Sequence, residues 1–192
     1  MLNVRIHGRG GQGNVVAAYL LATAAIEKGL YAQAFPAFGA ERRGAPVIAF
    51  VRLSQRPVRR RDQVRTPDYL IIQDQALLHV PGVLDGLAEE GRILINSGRS
   101  AEELEEEFSR PMTPIPATAL AKEHLGRPVP NTALLAAFFT LTEVLPVEAL
   151  VDSLAGRFKG KVLEKNQQLI AAAAGYFAVG AWNKEQQHAA SA

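Results

Sequence analysis

The segment Gly8-Arg9-Gly10-Gly11-Gln12-Gly13 places glycines at the first, third and sixth positions of a GxGxxG pattern. It follows a strand-like run, Leu2 to His7, and opens a helix-like run, Gln12 to Lys28, that Gly29 stops. A strand passed through such a turn into a helix is the opening unit of a parallel α/β sheet. In that unit the first glycine permits the tight turn and the second lets backbone approach a phosphate. The third allows close helix–strand packing, and the helix N-terminus offers free N–H groups to an anion.

The dinucleotide-binding form of the motif also carries an acid at the end of the second strand, about 20 residues on, to read a ribose hydroxyl. Here that strand reads Tyr31-Ala32-Gln33-Ala34-Phe35 and holds no acid; Glu27 lies in the helix and Glu41 beyond the strand. Three readings of the loop stay open on the residues alone: an anion site, a dehydrogenase remnant and a purely structural turn.

The rest of the first half continues the alternation. Pro46 to Leu53 and Tyr69 to Gln73 read as buried strands, the latter carrying "YLII" with no polar alternation, as strands covered on both faces do. Val83 to Glu90 reads as a short helix closed by Gly91, and Arg92 to Asn96 as a further strand. Arg110 to Pro116 fits one more edge strand, and from Ala117 onward the chain is helical in character, through Asn131–Glu143, Pro146–Leu154 and Lys161–Val179. In the first helix, Val15, Val16, Leu20, Leu21 and Ala24 are expected to share the inward face. The expected architecture is therefore α/β: a single domain, residues 1–182, with an open, mostly parallel sheet, helices on both faces (Rossmann-like) and a helical C-terminal third. Residues 183–192, small and polar, are expected to form a flexible tail.

Composition narrows the chemistry. The 192 residues contain no cysteine, so neither a disulfide nor thiolate ligation of zinc or an iron–sulfur cluster can arise within the chain. The four histidines, at 7, 79, 124 and 188, show no metal-ligand spacing, and no metal site is expected. No apolar run reaches the length of a membrane span, and no signal segment opens the sequence, so cytoplasmic residence without membrane contact is the expectation. Net charge is +2 but uneven: eight arginines against two acids lie between Glu41 and Arg65, and Glu102 to Glu107 is an acidic run. Arg59, Arg60 and Arg61 lack interleaved aromatics, which argues for an exposed turn and against nucleic-acid binding.

No triad, paired carboxylates or nucleophile emerges, so no catalytic residue is assigned. Candidate ligand-binding residues are Gly8, Arg9, Gly10, Gly11, Gln12 and Gly13. Asn96 joins them, lying with Ser97 at the carboxyl end of a strand, where open α/β sheets gather ligands. Glu41, Arg42 and Arg43, between Gly39 and Gly44, are candidates for an interface or an anion clamp. Asn131 reads as a helix N-cap, and Trp182 as either a partner contact or a closing core residue.

The run of motifs as a whole resembles a known family. "GRGGQG", then "YAQAFPAFGAERRGAPVIAFVRLS", "PDYLIIQD" (Pro67 to Asp74), "GRILINS" (Gly91 to Ser97), "RPVPNTALLAAF" (Arg127 to Phe138) and "FKGKVLEKN" (Phe158 to Asn166) are similar, in collinear order, to the gamma subunit or domain of the 2-oxoacid:ferredoxin oxidoreductases. The resemblance implies a subunit that is inactive alone. It supports a complex, most often acting on pyruvate, that decarboxylates a 2-oxoacid on thiamine diphosphate, passes the fragment to coenzyme A and sends electrons through [4Fe–4S] clusters to ferredoxin. The implied partners are alpha, beta and ferredoxin-like delta subunits, or fused equivalents, which carry those cofactors. The alternative reading is a free-standing nucleotide- or coenzyme-A-binding module.

Overall fold

A computed structural model describes residues 1–37 and 44–183. Six strands form one sheet: β1 (Leu2–Arg9), β2 (Tyr31–Pro36), β3 (Pro46–Ser54), β4 (Tyr69–Ile72), β5 (Arg92–Asn96) and β6 (Thr113–Ile115), in the spatial order β2-β3-β1-β4-β5-β6. Four of them, β1, β4, β5 and β6, run parallel, while β3 pairs antiparallel with both β1 and β2. The link from β2 to β3, residues 37–45, is too short for a crossover helix, so these two strands can pair only as antiparallel neighbours.

The pleat sorts the sheet into two cores. On one face Val4, Ile6, Val51, Ile71 and Leu94 meet α1 (Asn14–Glu27), α3 (Ala117–Leu125), α4 (Asn131–Thr142), α5 (Val147–Ala155) and α6 (Lys161–Ala174). On the other, Leu70, Ile72, Ile93 and Ile95 meet a 3-10 helix (Gln75–His79) and Leu104 of α2 (Ala101–Phe108). This explains the unbroken apolar "YLII" of β4: Tyr69 and Ile71 belong to the first core, Leu70 and Ile72 to the second. Helix α4 packs against α1, α3, α5, α6 and β5, and all twelve of its residues are buried. Trp182 also belongs to this core; it stacks on Tyr69 at 5.4 Å between ring centroids and donates from Nε1 to Thr113 Oγ1 at 3.2 Å. Asn183, where the tail was expected to begin, donates to the Thr142 carbonyl at 3.0 Å. Residues 184–192 lie outside the described residues.

Several local expectations are corrected. No helix forms over Val83–Glu90. Gly82 and Gly86 take positive φ, 86° and 71°, and a Cβ at Gly86 would run into the Arg65 carbonyl oxygen, so this stretch is a chain of turns packed against its neighbour. The inward face of α1 is Ala17, Ala18, Leu20, Leu21, Ala24 and Ala25, while Val16 is exposed; alanines allow the helix to lie close to the sheet. Helix α6 ends at Ala174, not Val179, with Gly175 as its cap. Asn131 is the first residue of α4 and not its cap, a position that Pro130 holds. The acidic run does form an exposed helix, α2, closed by a capping box between Ser100 and Glu103.

Candidate functional site

Strand β1 continues two residues beyond its expected end, so Gly8 and Arg9 still pair with Val47 and Pro46 of β3. The turn follows: Gly10 N donates to Ala45 O and Gln12 N to Arg9 O, both at 3.0 Å. The glycines divide the work differently from the expected scheme. Gly8 provides close approach, since a Cβ there would stand 3.1 Å from Asn14 Cβ. The left-handed backbone falls on Gly11 (φ 95°) and on Gly13 (φ 78°), which begins α1 with no side-chain cap. Above Gly13 the space is already filled, because Asn131 Nδ2 donates to Gly13 O at 3.3 Å.

The two long side chains of the loop are also engaged. Arg9 Nε meets Asp74 Oδ2 at 2.7 Å and Arg9 Nη1 meets Gly44 O at 3.1 Å. Gln12 Oε1 accepts from Arg9 N at 2.7 Å, and its Nε2 lies 3.4 Å from Asp74 Oδ2. Asp74 accepts in addition from Ala76 N, capping the 3-10 helix. The loop after β1 and the loop after β4 are thus one hydrogen-bonded unit. On the next strand, Asn96 ties loops together in the same way: Nδ2 donates to Gln73 O and Thr118 Oγ1, and Oδ1 accepts from Thr118 N. Ser97 Oγ donates to Gln75 Oε1 at 2.6 Å.

Between these elements opens a cavity of about 540 Å³, with Gln12, Gln73, Asp74, Ser97, Thr118 and Lys122 among its walls. It lies at the carboxyl ends of β1, β4 and β5. There the connection after β1 leaves over one face through α1 and that after β4 over the other, a crevice of the kind in which open α/β sheets bind ligands. Gln73 is fully buried in its wall, yet neither its Oε1 nor its Nε2 has a hydrogen-bond partner. A buried amide left unpaired costs about 1–3 kcal/mol per group, so Gln73 is a point of stored destabilisation in the crevice wall. Of the expected site residues, Gln12 and Asn96 line this crevice, whereas Gly8, Arg9, Gly10, Gly11 and Gly13 are not among its walls. Glu41, Arg42 and Arg43 lie outside the described residues.

Gln73 and Asp74 were missed by sequence reasoning, since Gln73 read as the end of an apolar strand and Asp74 as the residue just after it. His7 is a second omission. Its Nε2 accepts from Arg5 Nε at 2.9 Å, while Arg5 Nη2 holds the carbonyls of Val83 and Asp85 at 2.9 and 2.7 Å. Burial, and then the nearby Arg5 charge, push the His7 pKa down to about 3. A neutral ring is what that hydrogen bond requires, so His7 anchors the glycine loop's strand and is no proton carrier near neutral pH. The visible signal was a polar pair, Arg5 and His7, alternating with Val4 and Ile6.

With the loop, crevice and sheet order established, comparison with other proteins is direct. Residues 3–176 match the pyruvate ferredoxin/flavodoxin oxidoreductase family. The chain belongs to that family. It is 46% identical over 168 residues to pyruvate synthase subunit PorC of Methanothermobacter marburgensis, covering 88% of this chain and 93% of that protein. It is 43% identical over 169 residues to the pyruvate/ketoisovalerate oxidoreductases common subunit gamma of Pyrococcus furiosus, covering 86% and 91%. The crystal structure of pyruvate oxidoreductase subunit PORC from Thermotoga maritima superposes with a TM-score of 0.80 at 32% identity, covering 91% of this chain and 95% of that one.

A cysteine-free chain does not fit an iron–sulfur cluster, and among the described residues no group of three His, Asp or Glu side chains is placed to bind a metal ion. No helix of the described residues is long and apolar enough to cross a membrane. What the crevice offers is amides, hydroxyls, the Asp74 carboxylate and the Lys122 ammonium.

Proposed function

We propose that this chain is the gamma subunit of a pyruvate:ferredoxin oxidoreductase, working in the cytoplasm with alpha, beta and ferredoxin-like delta subunits. The complex converts a 2-oxoacid, coenzyme A and two oxidised ferredoxins into acyl-CoA, carbon dioxide, a proton and two reduced ferredoxins. Thiamine diphosphate and the [4Fe–4S] clusters belong to the other subunits. The collinear match of nearly the whole chain to gamma-type subunits carries the reading.

The crevice at the glycine loop is the region of this subunit that faces a ligand, and its chemistry suits coenzyme A. Lys122 favours phosphate, while Gln12, Asn96, Ser97 and Thr118 present amides and hydroxyls to polar groups. The segment holding Glu41, Arg42 and Arg43 docks against the thiamine-binding subunits, with an arginine in a bidentate pair across the interface. Purification of the affinity-tagged chain from its native cell tests the assignment. A brown complex that oxidises pyruvate only with coenzyme A present is the expected result, and the separated chain should turn nothing over. A chain that purifies alone and binds a nucleotide saturably would instead identify a free-standing binding module.

A further inference from the structure

At the opposite end of the sheet from the glycine loop lies a second polar cavity that the family reading does not use. Residues 55–66 leave β3 and cross the sheet face before β4, with Val64 buried as their apolar anchor. Beneath them Arg52 projects from β3 with its side chain 3% exposed. Its Nη2 donates to Asp62 O at 2.6 Å and reaches Asp62 Oδ1 at 3.3 Å; its Nη1 makes longer contacts, 3.4 Å each, to Gln33 Oε1 and Arg60 O. The guanidinium also stands over the Phe35 ring, 5.5 Å from its centroid. Its Nε is buried and has no partner.

The cavity above it measures about 200 Å³ and is lined by Asn3, Arg52, Arg60, Asp62, Gln63 and Arg65 among others. Charge does not balance there. Three guanidiniums face one carboxylate, and Asp62 is already shared between Arg60, at 2.9 Å, and Arg52. Arg65 has no ion pair among the described residues. A further acid, Asp68, lies outside the lining and accepts from Asn3 N and Nδ2 at 2.6 and 3.2 Å. Two positive charges are therefore left uncompensated around a partly enclosed polar space. Burial and the neighbouring Arg60 charge both pull the Arg52 pKa down, with Asp62 opposing them.

We propose that this cavity is an oxyanion site that takes a phosphate group. A phosphate carries roughly −1.5 to −2 at neutral pH, which matches the excess, whereas a single carboxylate leaves one charge standing. Its oxygens suit the forked donors of Arg65 and the Arg60 Nη1 that remains after Nε and Nη2 have bonded Asp62. The space is smaller than the roughly 300 Å³ at which ordinary ligand pockets begin, so it admits the phosphate group of a molecule and not a whole nucleotide. That group comes either from free inorganic phosphate or from a monoester whose remainder stays outside.

Titration of the full chain at constant ionic strength tests the site, read by 31P NMR and by thermal unfolding. Inorganic phosphate should bind saturably, with Kd on the order of millimolar. Arg65→Gln and Arg60→Gln, both changes of exposed side chains that leave the fold intact, should each weaken binding about tenfold through loss of a charge-assisted pair. Phenyl phosphate binding as tightly as phosphate assigns the site to an ester, and binding about tenfold weaker assigns it to the free ion. An equal effect of chloride, or wild-type phosphate affinity in both arginine variants, overturns the proposal. Neither result depends on assembly with partner subunits, so the outcome is independent of the gamma-subunit assignment.

Discussion

Two glycines of the loop share a left-handed backbone but differ in what surrounds them, and the difference can be measured. A Cβ added at Gly11 meets nothing within 4 Å, whereas one added at Gly13 stands 2.8 Å from Asn131 Nδ2. Either alanine incurs the left-handed penalty of roughly 1–2 kcal/mol. At Gly13 the alanine also expels an amide that is buried and bonded to Gly13 O and to Thr132 N, adding about 1 kcal/mol for the lost hydrogen bonding. Gly11→Ala should thus lower stability by about 1–2 kcal/mol and Gly13→Ala by about 2–3 kcal/mol, a gap of about 2–4 °C in Tm for a chain of this size. Gly13 O keeps its helical donor, Ala17 N, at 2.9 Å, so Asn131→Ala alone should be milder than Gly13→Ala. In the double variant the clash no longer exists, and the measured loss should fall short of the sum of the two single losses by about 1 kcal/mol. Urea unfolding of the four proteins decides the matter. Equal losses for Gly11→Ala and Gly13→Ala, or strict additivity with Asn131→Ala, refute the reasoning.

Gln73→Met replaces an unpaired buried amide with an apolar side chain of similar length and should stabilise the chain by about 1 kcal/mol in urea unfolding. Destabilisation would mean that water already satisfies the amide. His7 is neutral in the fold down to a pKa of about 3 but titrates near 6.5 when unfolded, so between those values the unfolded chain holds more protons. Stability should therefore fall as pH drops below 6.5, by about 2 kcal/mol at pH 5, and His7→Gln should flatten that slope; an unchanged slope would remove His7 from the account. The double change Arg42→Ala, Arg43→Ala should leave the melting temperature of the isolated chain near its original value. It should weaken recovery with the alpha and beta subunits in a salt-dependent manner, by about 3–5 kcal/mol if the pair is buried at the interface. Undiminished assembly at high salt would assign these arginines no docking role.

How far the sequence foretold this structure depends on the range over which each feature is encoded. Element order was legible because strands such as "YLII" and helices such as α4 declare themselves within a few residues: both are apolar on all sides, and both lie between two packed layers. The glycine loop was legible as a turn for the same reason. Its inner assignments were not, since the roles of Gly8 and Gly13 are set by Asn14 on the helix and by Asn131, whose hydrogen bond spans 118 positions. The helix expected at Val83–Glu90 fails because Gly86 within it, like Gly82 before it, takes a positive φ that a helix cannot accept. Asp74 and Gln73 show the limit most clearly. In sequence they close a strand, and only the parallel pairing of β4 with β1 sets Asp74 beside Arg9 and leaves the Gln73 amide in a cavity wall. A GxGxxG turn thus fixes the path of its own backbone. Which ligand it serves is decided by the strand that folding places beside it, and here that neighbour supplies an acid that ties down the loop's own arginine. An anion approaching the glycine loop must compete with Asp74 for Arg9. That constraint separates this loop from a dinucleotide site more firmly than the missing acid on β2 does.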